Sequence, residues 1–212
     1  LMLQIQLCVS KTIVVDKSGF GQFTTIQAGI DAASAGDTVL VRDGRYVGTG
    51  NQGIKFSGKT IVVRSERGPA NCIIDCQRIA MSMAFVFNNS KDSSCVVEGF
   101  TVRNAGIGIW AYANSSPIVR NNVIDSCNVG IWSNSQATPS IIGNTIQFNN
   151  NQSASSSTSF ISGCAISLEF SSAKISQNTI RKNSGSHGGG ISCFHSSPLI
   201  IGNTIESNDG GG

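Results

Sequence analysis

The chain has 212 residues, of which 40% are hydrophobic, 13% are charged and 24 are glycine, and its net charge at pH 7 is +3. This length suits one domain with a substantial core. The charge content is lower than in disordered chains, and no apolar segment approaches the roughly 18 residues of a membrane-spanning helix. Composition therefore excludes a disordered chain and a helical membrane protein, and we expect a single domain over residues 1–212.

The first eight residues alternate apolar Leu1, Leu3, Ile5 and Leu7 with other side chains. A secretory signal peptide instead has a continuous apolar core behind a positive charge. The alternation predicts an edge or capping strand. No signal peptide is visible in the sequence.

A short helix is predicted after this strand. Thr24 or Thr25 can cap its amino terminus, and Ile26, Ile30 and Ala33 give it one apolar face. The terminal unit of a solenoid needs a cap, because its core would otherwise be open. We therefore expect this helix to cover the first end of the core.

Four segments, which begin at Pro117, Pro139, Ala173 and Pro198, align without gaps on the pattern Pro/Ala-x-Ile/Val-x-x-Asn-x-Ile-x-x-Asn/Cys. A second motif, Gly/Ala-Ile followed by Trp or Ser, lies before each of them. The aligned asparagines are separated by 22, 34 and 25 residues. Short strands punctuated by Gly, Asn and Ser at this period predict an all-β solenoid with one coil, or rung, per repeat.

Strand alternation assigns the apolar positions of these repeats to the interior. We expect three inward columns: Val119, Ile141, Ile175 and Ile200; Ile124, Ile146, Ile180 and Ile205; and Ile109, Ile131, Ile166 and Ile191. Between the first two lies a column of asparagines, namely Asn122, Asn144, Asn178 and Asn203. Buried amides that hydrogen-bond to each other from rung to rung would satisfy their polar groups, so we interpret this column as structural.

The repeat also predicts the organisation of the domain. Residues 1–47 form the amino-terminal cap region and residues 48–212 the rungs, with residues 149–160 expelled as an inserted loop. Residues 208–212 repeat the lead-in to the preceding rung, so we expect an open carboxy-terminal rung. Either the chain is a segment of a longer solenoid, which we favour, or this open rung associates end to end with another copy or a partner.

Seven cysteines are scattered along the chain, and an odd number is a poor disulfide framework. Cys72 and Cys76 lie four residues apart in a predicted strand, so their Cα atoms would be about 13 Å apart, beyond the ~7 Å that a disulfide tolerates. The spacing lacks the Cys-x-x-Cys pairs of a structural zinc site. We expect buried free thiols, no metal and no cofactor.

Basic residues are concentrated in one stretch, which contains Arg42, Arg45, Lys55, Lys59, Arg64, Arg67 and Arg78. Such a stretch can bind acidic polymers, but a solvated and charge-paired face is the interpretation that we favour. No feature of the sequence indicates a nucleic-acid partner.

The segment with GDTV, DG.Y and GK.I, together with rungs of the form SP.I..NTI..N, resembles the pectin-lyase-like superfamily. The opening residues 18–46 resemble the start of pectin methylesterases. The resemblance implies a right-handed single-stranded parallel β-helix in a secreted protein, either extracellular or at the cell surface. It does not imply one activity, because lyases, esterases, hydrolases, epimerases, adhesins and spike proteins share this fold.

The catalytic motifs of these enzymes are not found. No segment matches the two Asp and one Arg of pectin methylesterases, and the element nearest to the Gly-His-Gly of polygalacturonases, at His187, is displaced by one residue. Glycosidases need two carboxylates at about 5–5.5 or 6.5–9.5 Å, and rungs about 4.8 Å apart would display them as a column. The outward column instead has mixed charges and consists of Arg103, Asp125, Gln147, Arg181 and Glu206. The sequence therefore identifies no catalytic residues.

One outward surface is more distinctive. If Ile109 and Ile131 point inward, Trp110 and Trp132 point outward on adjacent rungs, and Tyr112 lies beside them. We predict a ligand-binding strip that comprises Trp110, Tyr112, Trp132 and Glu169. The alternative is that an adjacent loop covers the tryptophans, for example residues 149–160.

We therefore predict a non-catalytic extracellular β-helix module with a structural or polysaccharide-contacting function. The alternative is a polysaccharide-active enzyme, a lyase or hydrolase acting on acidic glycans, with a divergent site.

Overall fold

The computed structural model describes residues 10–89, 92–151, 164–185 and 188–210, and these residues form one helix and 24 β-strands. The helix, α1, covers Ile26–Ala32. The strands in chain order are β1 (Thr12–Val15), β2 (Thr38–Val41), β3 (Gly44–Tyr46), β4 (Ile54–Lys55), β5 (Val62–Ser65), β6 (Cys72–Asp75), β7 (Met83–Phe87), β8 (Val96–Glu98), β9 (Thr101–Arg103), β10 (Ile107–Ala111), β11 (Ile118–Arg120), β12 (Val123–Asp125), β13 (Val129–Asn134), β14 (Ser140–Ile142), β15 (Thr145–Gln147), β16 (Asn150–Asn151), β17 (Ile166–Glu169), β18 (Lys174–Ser176), β19 (Thr179–Arg181), β20 (Ser184–Gly185), β21 (Ile191–Phe194), β22 (Leu199–Ile201), β23 (Thr204–Glu206) and β24 (Asp209–Gly210).

These strands form four parallel sheets. Sheet A has the order β1-β2-β5-β8-β11-β14-β18-β22, sheet B the order β3-β6-β9-β12-β15-β19-β23, sheet C the order β4-β7-β10-β13-β17-β21, and sheet D the order β16-β20-β24. The chain passes from sheet A to B to C and then returns to A, so neighbouring strands in a sheet belong to consecutive rungs. The predicted all-β parallel β-helix is confirmed.

The three predicted apolar columns lie in register. Val119, Ile141 and Ile175 are successive Cα partners in sheet A, and corresponding pairs align the isoleucines of sheets B and C. All are buried except in the last described rung, where Ile191 is half-buried and Ile200 and Ile205 are 44% and 49% exposed. Strand alternation thus places one continuous apolar core inside the solenoid.

The asparagine column lies at the tight turn between sheets A and B. The Nδ2 atoms of Asn122, Asn144 and Asn178 each donate to the Oδ1 atom of the next asparagine, at 3.1, 3.0 and 2.9 Å. The backbone N–H groups of the same residues donate to these oxygens as well. Each buried amide therefore has partners on both neighbouring rungs.

A second asparagine column follows sheet B. Asn149 donates from Nδ2 to Oδ1 of Asn183 at 2.9 Å, and Asn183 donates in the same way to Asn208 at 2.8 Å. Asn149 is buried, and β16 pairs with β20 in sheet D. The start of the predicted inserted loop is therefore corrected, because residues 149–151 belong to the rung. Residues 152–160 of that loop lie outside the described residues.

The second of the two predicted capping residues, Thr25, caps the helix. Thr25 accepts a hydrogen bond from the backbone N–H of Ala28 at 3.4 Å, and Ile26 and Ile30 are fully buried. A Cβ atom at Gly29 would lie 2.5 Å from a methyl group of Val15, so glycine permits the close approach of α1 to β1. The helix thus covers the first apolar rung. No helix in the described part of the chain has the length and apolar character to cross a membrane.

Five cysteine thiols are buried and free: Cys72, Cys76, Cys95, Cys127 and Cys164. Burial raises the pKa of each of them, to about 11 or 12. The prediction of buried free thiols is confirmed for these five. Cys193 is free but exposed, and Cys8 lies outside the described residues.

Candidate functional site

Trp110 and Trp132 occupy equivalent outward positions of sheet C. They are Cα partners in β10 and β13, directly after the buried partners Ile109 and Ile131. Both indoles are half-buried. Alternation of the two strands therefore places the tryptophans side by side on the outer face, as predicted from the sequence.

Three aromatic rings stack at this position. The ring centroids of Trp110 and Trp132 are 5.0 Å apart with an interplanar angle of 5°, and those of Trp110 and Tyr112 are 4.2 Å apart at 23°. A separation of 5.0 Å is close to the ~4.8 Å rung spacing, so the second indole repeats the first after translation by one rung. Stacked aromatic pairs contribute about 0.5–1.5 kcal/mol beyond the burial of their surface area. The stacking therefore holds the three rings in fixed positions. We call Trp110, Tyr112 and Trp132 the aromatic strip.

The two indole N–H groups of the strip differ in their partners. Trp110 donates from Nε1 to Oδ1 of Asn134 at 3.2 Å, which fixes its orientation. The Nε1 atom of Trp132 is buried and has no partner among the described residues. The predicted alternative, a covering loop, concerns residues 152–160, which lie outside them.

Ser167 and Glu169 define the strip's border on the next strand. Ser167 is the Cα partner of Trp132 and is 2% exposed, whereas half-buried Tyr112 lies at the other end of the stack. The row of the two tryptophans therefore continues into a buried residue on the side of β17. Glu169 is the partner of Asn134 and is half-buried, and burial raises the pKa of its carboxyl group. The structure thus brings the three aromatic residues together and places Glu169 in an adjacent row.

No two of the chain's acidic residues are Cα partners in neighbouring strands of the described sheets. Several carboxylates instead have structural partners. Asp92, for example, accepts hydrogen bonds from the backbone N–H groups of Gly58 and Asn88 at 2.7 and 3.1 Å. Within the described residues, no group of three or more His, Cys, Asp or Glu side chains could hold a metal ion.

The mixed-charge column of sheet B forms hydrogen bonds along the surface. Asp75 accepts from Arg45 and Arg103 at 3.1 and 2.7 Å and from Asn104 at 3.0 Å. Burial alone would raise the pKa of Asp75, but these bonds and the backbone N–H of Gln77 outweigh it and lower the pKa to about 2. Further along, Gln147 bridges Asp125 and Arg181. This column has a structural function, as the sequence indicates.

Most side chains of the basic stretch are paired as well. Arg42 pairs with Asp16 at 3.2 Å, Arg67 with Asp43, and Lys59 donates to the carbonyl groups of the last turn of α1 at 2.9 and 2.6 Å. Among the described residues, Lys55, Arg64 and Arg78 form no ion pair. The favoured interpretation, a charge-paired face, therefore describes Arg42, Arg45 and Arg67, whereas Lys59 binds backbone carbonyl groups.

One feature that the sequence does not reveal is a cavity of about 220 Å³ next to Arg64, with Glu98 and Asn121 in its wall. The asparagine pattern does not reach this part of the chain, because Phe100 occupies the position that Asn122 holds one rung later. The signal that remains is a charged residue at one outward position of three successive strands, Arg64, Glu98 and Arg120.

This architecture matches that of a known protein family. A family model described as "Right handed beta helix region" matches residues 71–212. The chain belongs to this family. The predicted handedness and the pectin-lyase-like resemblance of this β-helix region are thereby confirmed at the level of the fold, whereas the resemblance to pectin methylesterases has no support. No curated protein matches the chain.

Two solved structures are similar to this β-helix region in fold. An alginate lyase from Paenibacillus sp. str. FPU-7 has a TM-score of 0.46 and 13% identity, with coverage of 95% of this chain and 99% of that chain. A rhamnogalacturonan lyase has a TM-score of 0.36 and 15% identity, and the match covers 96% of this chain but 63% of that one. At these values the likeness is one of general architecture.

Proposed function

We propose that this β-helix is an extracellular protein that binds polysaccharide on the aromatic strip. The observation that carries the proposal is the parallel stack of Trp132, Trp110 and Tyr112 on the outer face of sheet C. Half-buried aromatic rings on the outside of a solenoid offer apolar contact area, and the hydroxyl group of Tyr112 adds a polar group. A sugar ring, which has apolar C–H faces and a rim of hydroxyl groups, complements both.

The repeat along the solenoid axis favours an extended polymer as the ligand. The two indoles follow each other at 5.0 Å, and the sheets continue on both sides of them in parallel register. An extended chain that lies along the axis would contact the two tryptophan rungs in the same way. Because stacking and the bond to Asn134 hold the rings in place, little side-chain entropy would be lost on binding.

A second candidate is an enzyme that acts on acidic polysaccharide, and Glu169 is the observation that favours it. Its pKa is raised by burial, and it lies in the row next to the strip. A carboxyl group with a raised pKa beside a binding surface is suited to general acid catalysis. Against this candidate, no second carboxylate is a Cα partner of Glu169, because its partners are Asn134 and Phe194.

A glycan-array screen combined with reducing-sugar and unsaturated-product assays tests both candidates. The binding proposal expects retention of a polysaccharide with no new reducing ends and no unsaturated product. Turnover that is lost in Glu169→Gln but kept in the exposed control Glu206→Gln would establish the enzyme instead. A protein that retains no glycan would contradict both.

A further inference from the structure

Three charged side chains lie in one outward row of sheet A. Arg64 in β5 is the Cα partner of Glu98 in β8, and Glu98 is the partner of Arg120 in β11. Since successive strands are about 4.8 Å apart, the row spans about 10 Å along the solenoid axis. Its formal charge is +1, because one carboxylate lies between two guanidinium groups.

The single carboxylate of this row is already occupied. Glu98 accepts from Arg120 at 2.8 Å through Oε2 and from the side-chain amide of Asn121 at 3.2 Å through Oε1. Arg64 is exposed, and its guanidinium group forms no ion pair or hydrogen bond with the described residues. The excess positive charge of the row is therefore located on Arg64.

Arg64 lies at the edge of the 220 Å³ cavity noted above. The cavity is lined by Arg64, Ser65, the turn Gly68-Pro69, Glu98, Gly99 and Asn121. Gly99 keeps its corner open: its φ of +78° favours glycine, and a Cβ atom there would lie 2.5 Å from Oγ of Ser65. The volume is below the ~300–1,000 Å³ typical of pockets that enclose drug-sized ligands, so it suits one sugar unit of a chain that continues over the surface.

The other unpaired cations lack this setting. The cavity beside Arg78 has a volume of about 80 Å³, which is space for only a few waters at ~30 Å³ each. Lys55 does not line either cavity. Of these three cations, Arg64 is the one that lines the larger of the two cavities.

We infer that this cavity binds the carboxylate group of a uronate unit in an acidic polysaccharide. The planar fork of Arg64 can donate two parallel hydrogen bonds to a carboxylate. Glu98 disfavours a dianion such as a phosphate monoester, since the local excess is one positive charge. The cavity is on sheet A and the aromatic strip on sheet C, so this site goes beyond the proposed function and can be tested separately from it.

The test compares the affinity of the intact chain for oligogalacturonate and for the same oligomer in fully methyl-esterified form, by isothermal titration calorimetry. Arg64→Gln removes the fork, Arg64→Lys keeps the charge without it, and Lys174→Gln is the matched control, an exposed cation in strand β18 of the same sheet. Melting temperatures of all variants check that the fold is intact.

We expect binding of the free acid to fall at least about tenfold in Arg64→Gln, with an intermediate value for Arg64→Lys and no change for Lys174→Gln. Esterification should abolish the difference between wild type and Arg64→Gln. Equal affinity of wild type and Arg64→Gln for the free acid would overturn the inference. So would an equal loss in Lys174→Gln, or no binding of oligogalacturonate by the wild type. If the aromatic strip does not bind glycan, tryptophan fluorescence will not respond to ligand, but the difference in affinity between wild type and Arg64→Gln will remain.

Discussion

The side-chain amide of Asn144 donates a 3.0 Å hydrogen bond to Oδ1 of Asn178, although 34 residues separate the two along the chain. The preceding pair, Asn122 and Asn144, makes the same bond at 3.1 Å across 22 residues. The additional residues of the longer interval therefore leave the stacking of the rungs unchanged. The asparagine column, rather than the length of a repeat, holds the register at this turn.

Substitution of a column asparagine should destabilise the domain. Asn178→Ala removes the acceptor of Asn144 and the donor to the buried carbonyl of Ile141 and to Asn203. Each buried polar group that loses its partner costs about 1–3 kcal/mol, so we expect the free energy of unfolding to fall by at least about 2 kcal/mol. Urea denaturation measures the change, with the exposed Ser172→Ala as control. An effect no larger than that of the control would contradict a structural function of the column.

Stability at low pH should depend on Asp75. Its folded-state pKa of about 2 lies below its ordinary value of 3.8, so its contribution to stability is complete above about pH 4 and is lost as the pH falls toward 2. The difference corresponds to about 2 kcal/mol. In Asp75→Asn, the loss of stability between pH 4 and 2 should be smaller than in the wild type. The pKa values of Asp16 and Asp37 are also lowered, by hydrogen bonds from Ser18 and from the backbone N–H groups of Lys11 and Ser34, so part of the acid dependence should remain. Urea denaturation at stepped pH values measures it, and identical pH dependence of the two proteins would refute this assignment.

The five buried thiols should be unreactive in the folded protein. Burial raises the pKa of Cys127, for example, to about 12, and thiolate is the reactive form. At pH 8 we expect iodoacetamide to modify exposed Cys193 and to leave the five buried cysteines unmodified until denaturant is added. Mass spectrometry of the resulting peptides distinguishes the sites. Modification of the buried cysteines at the rate of Cys193 would indicate that the core is open.

The apolar columns and the outward tryptophans could be predicted because strand alternation relates each motif position to one face. Ile109 and Ile131 are inward in both the prediction and the structure, and this places Trp110 and Trp132 outside. The parallel orientation of the rings and the participation of Tyr112, which follows the end of β10, could not be predicted, because they depend on side-chain rotamers.

Two other features were harder to predict. Asn149, where the second asparagine column begins, is predicted to start the inserted loop because residues 149–160 are rich in Asn, Gln and Ser. In the structure it stacks on Cys127, which holds the same position one rung earlier. The cavity beside Arg64 depends on a turn of Gly68 and Pro69 in a rung without the asparagine motif. Where the repeat is regular, sequence predicts structure well, and where the repeat degenerates, the candidate sites appear only in three dimensions.

Both tryptophans of the chain lie in the aromatic strip, so intrinsic fluorescence reports on this surface alone. The matched variants are Tyr112→Ala, which removes one ring of the stack but keeps both fluorophores, Tyr112→Phe, which keeps the ring, and Phe20→Ala, which removes an aromatic side chain that is 84% exposed elsewhere.

Titration of these proteins with the polysaccharide retained in the glycan-array screen, followed by tryptophan fluorescence, tests the central claim most directly. We predict a saturable change in the wild type, Tyr112→Phe and Phe20→Ala, and a loss of affinity of about tenfold or more in Tyr112→Ala at an unchanged melting temperature. A blue-shifted emission that no glycan perturbs, in a protein that still binds glycan, would contradict a ligand-facing strip.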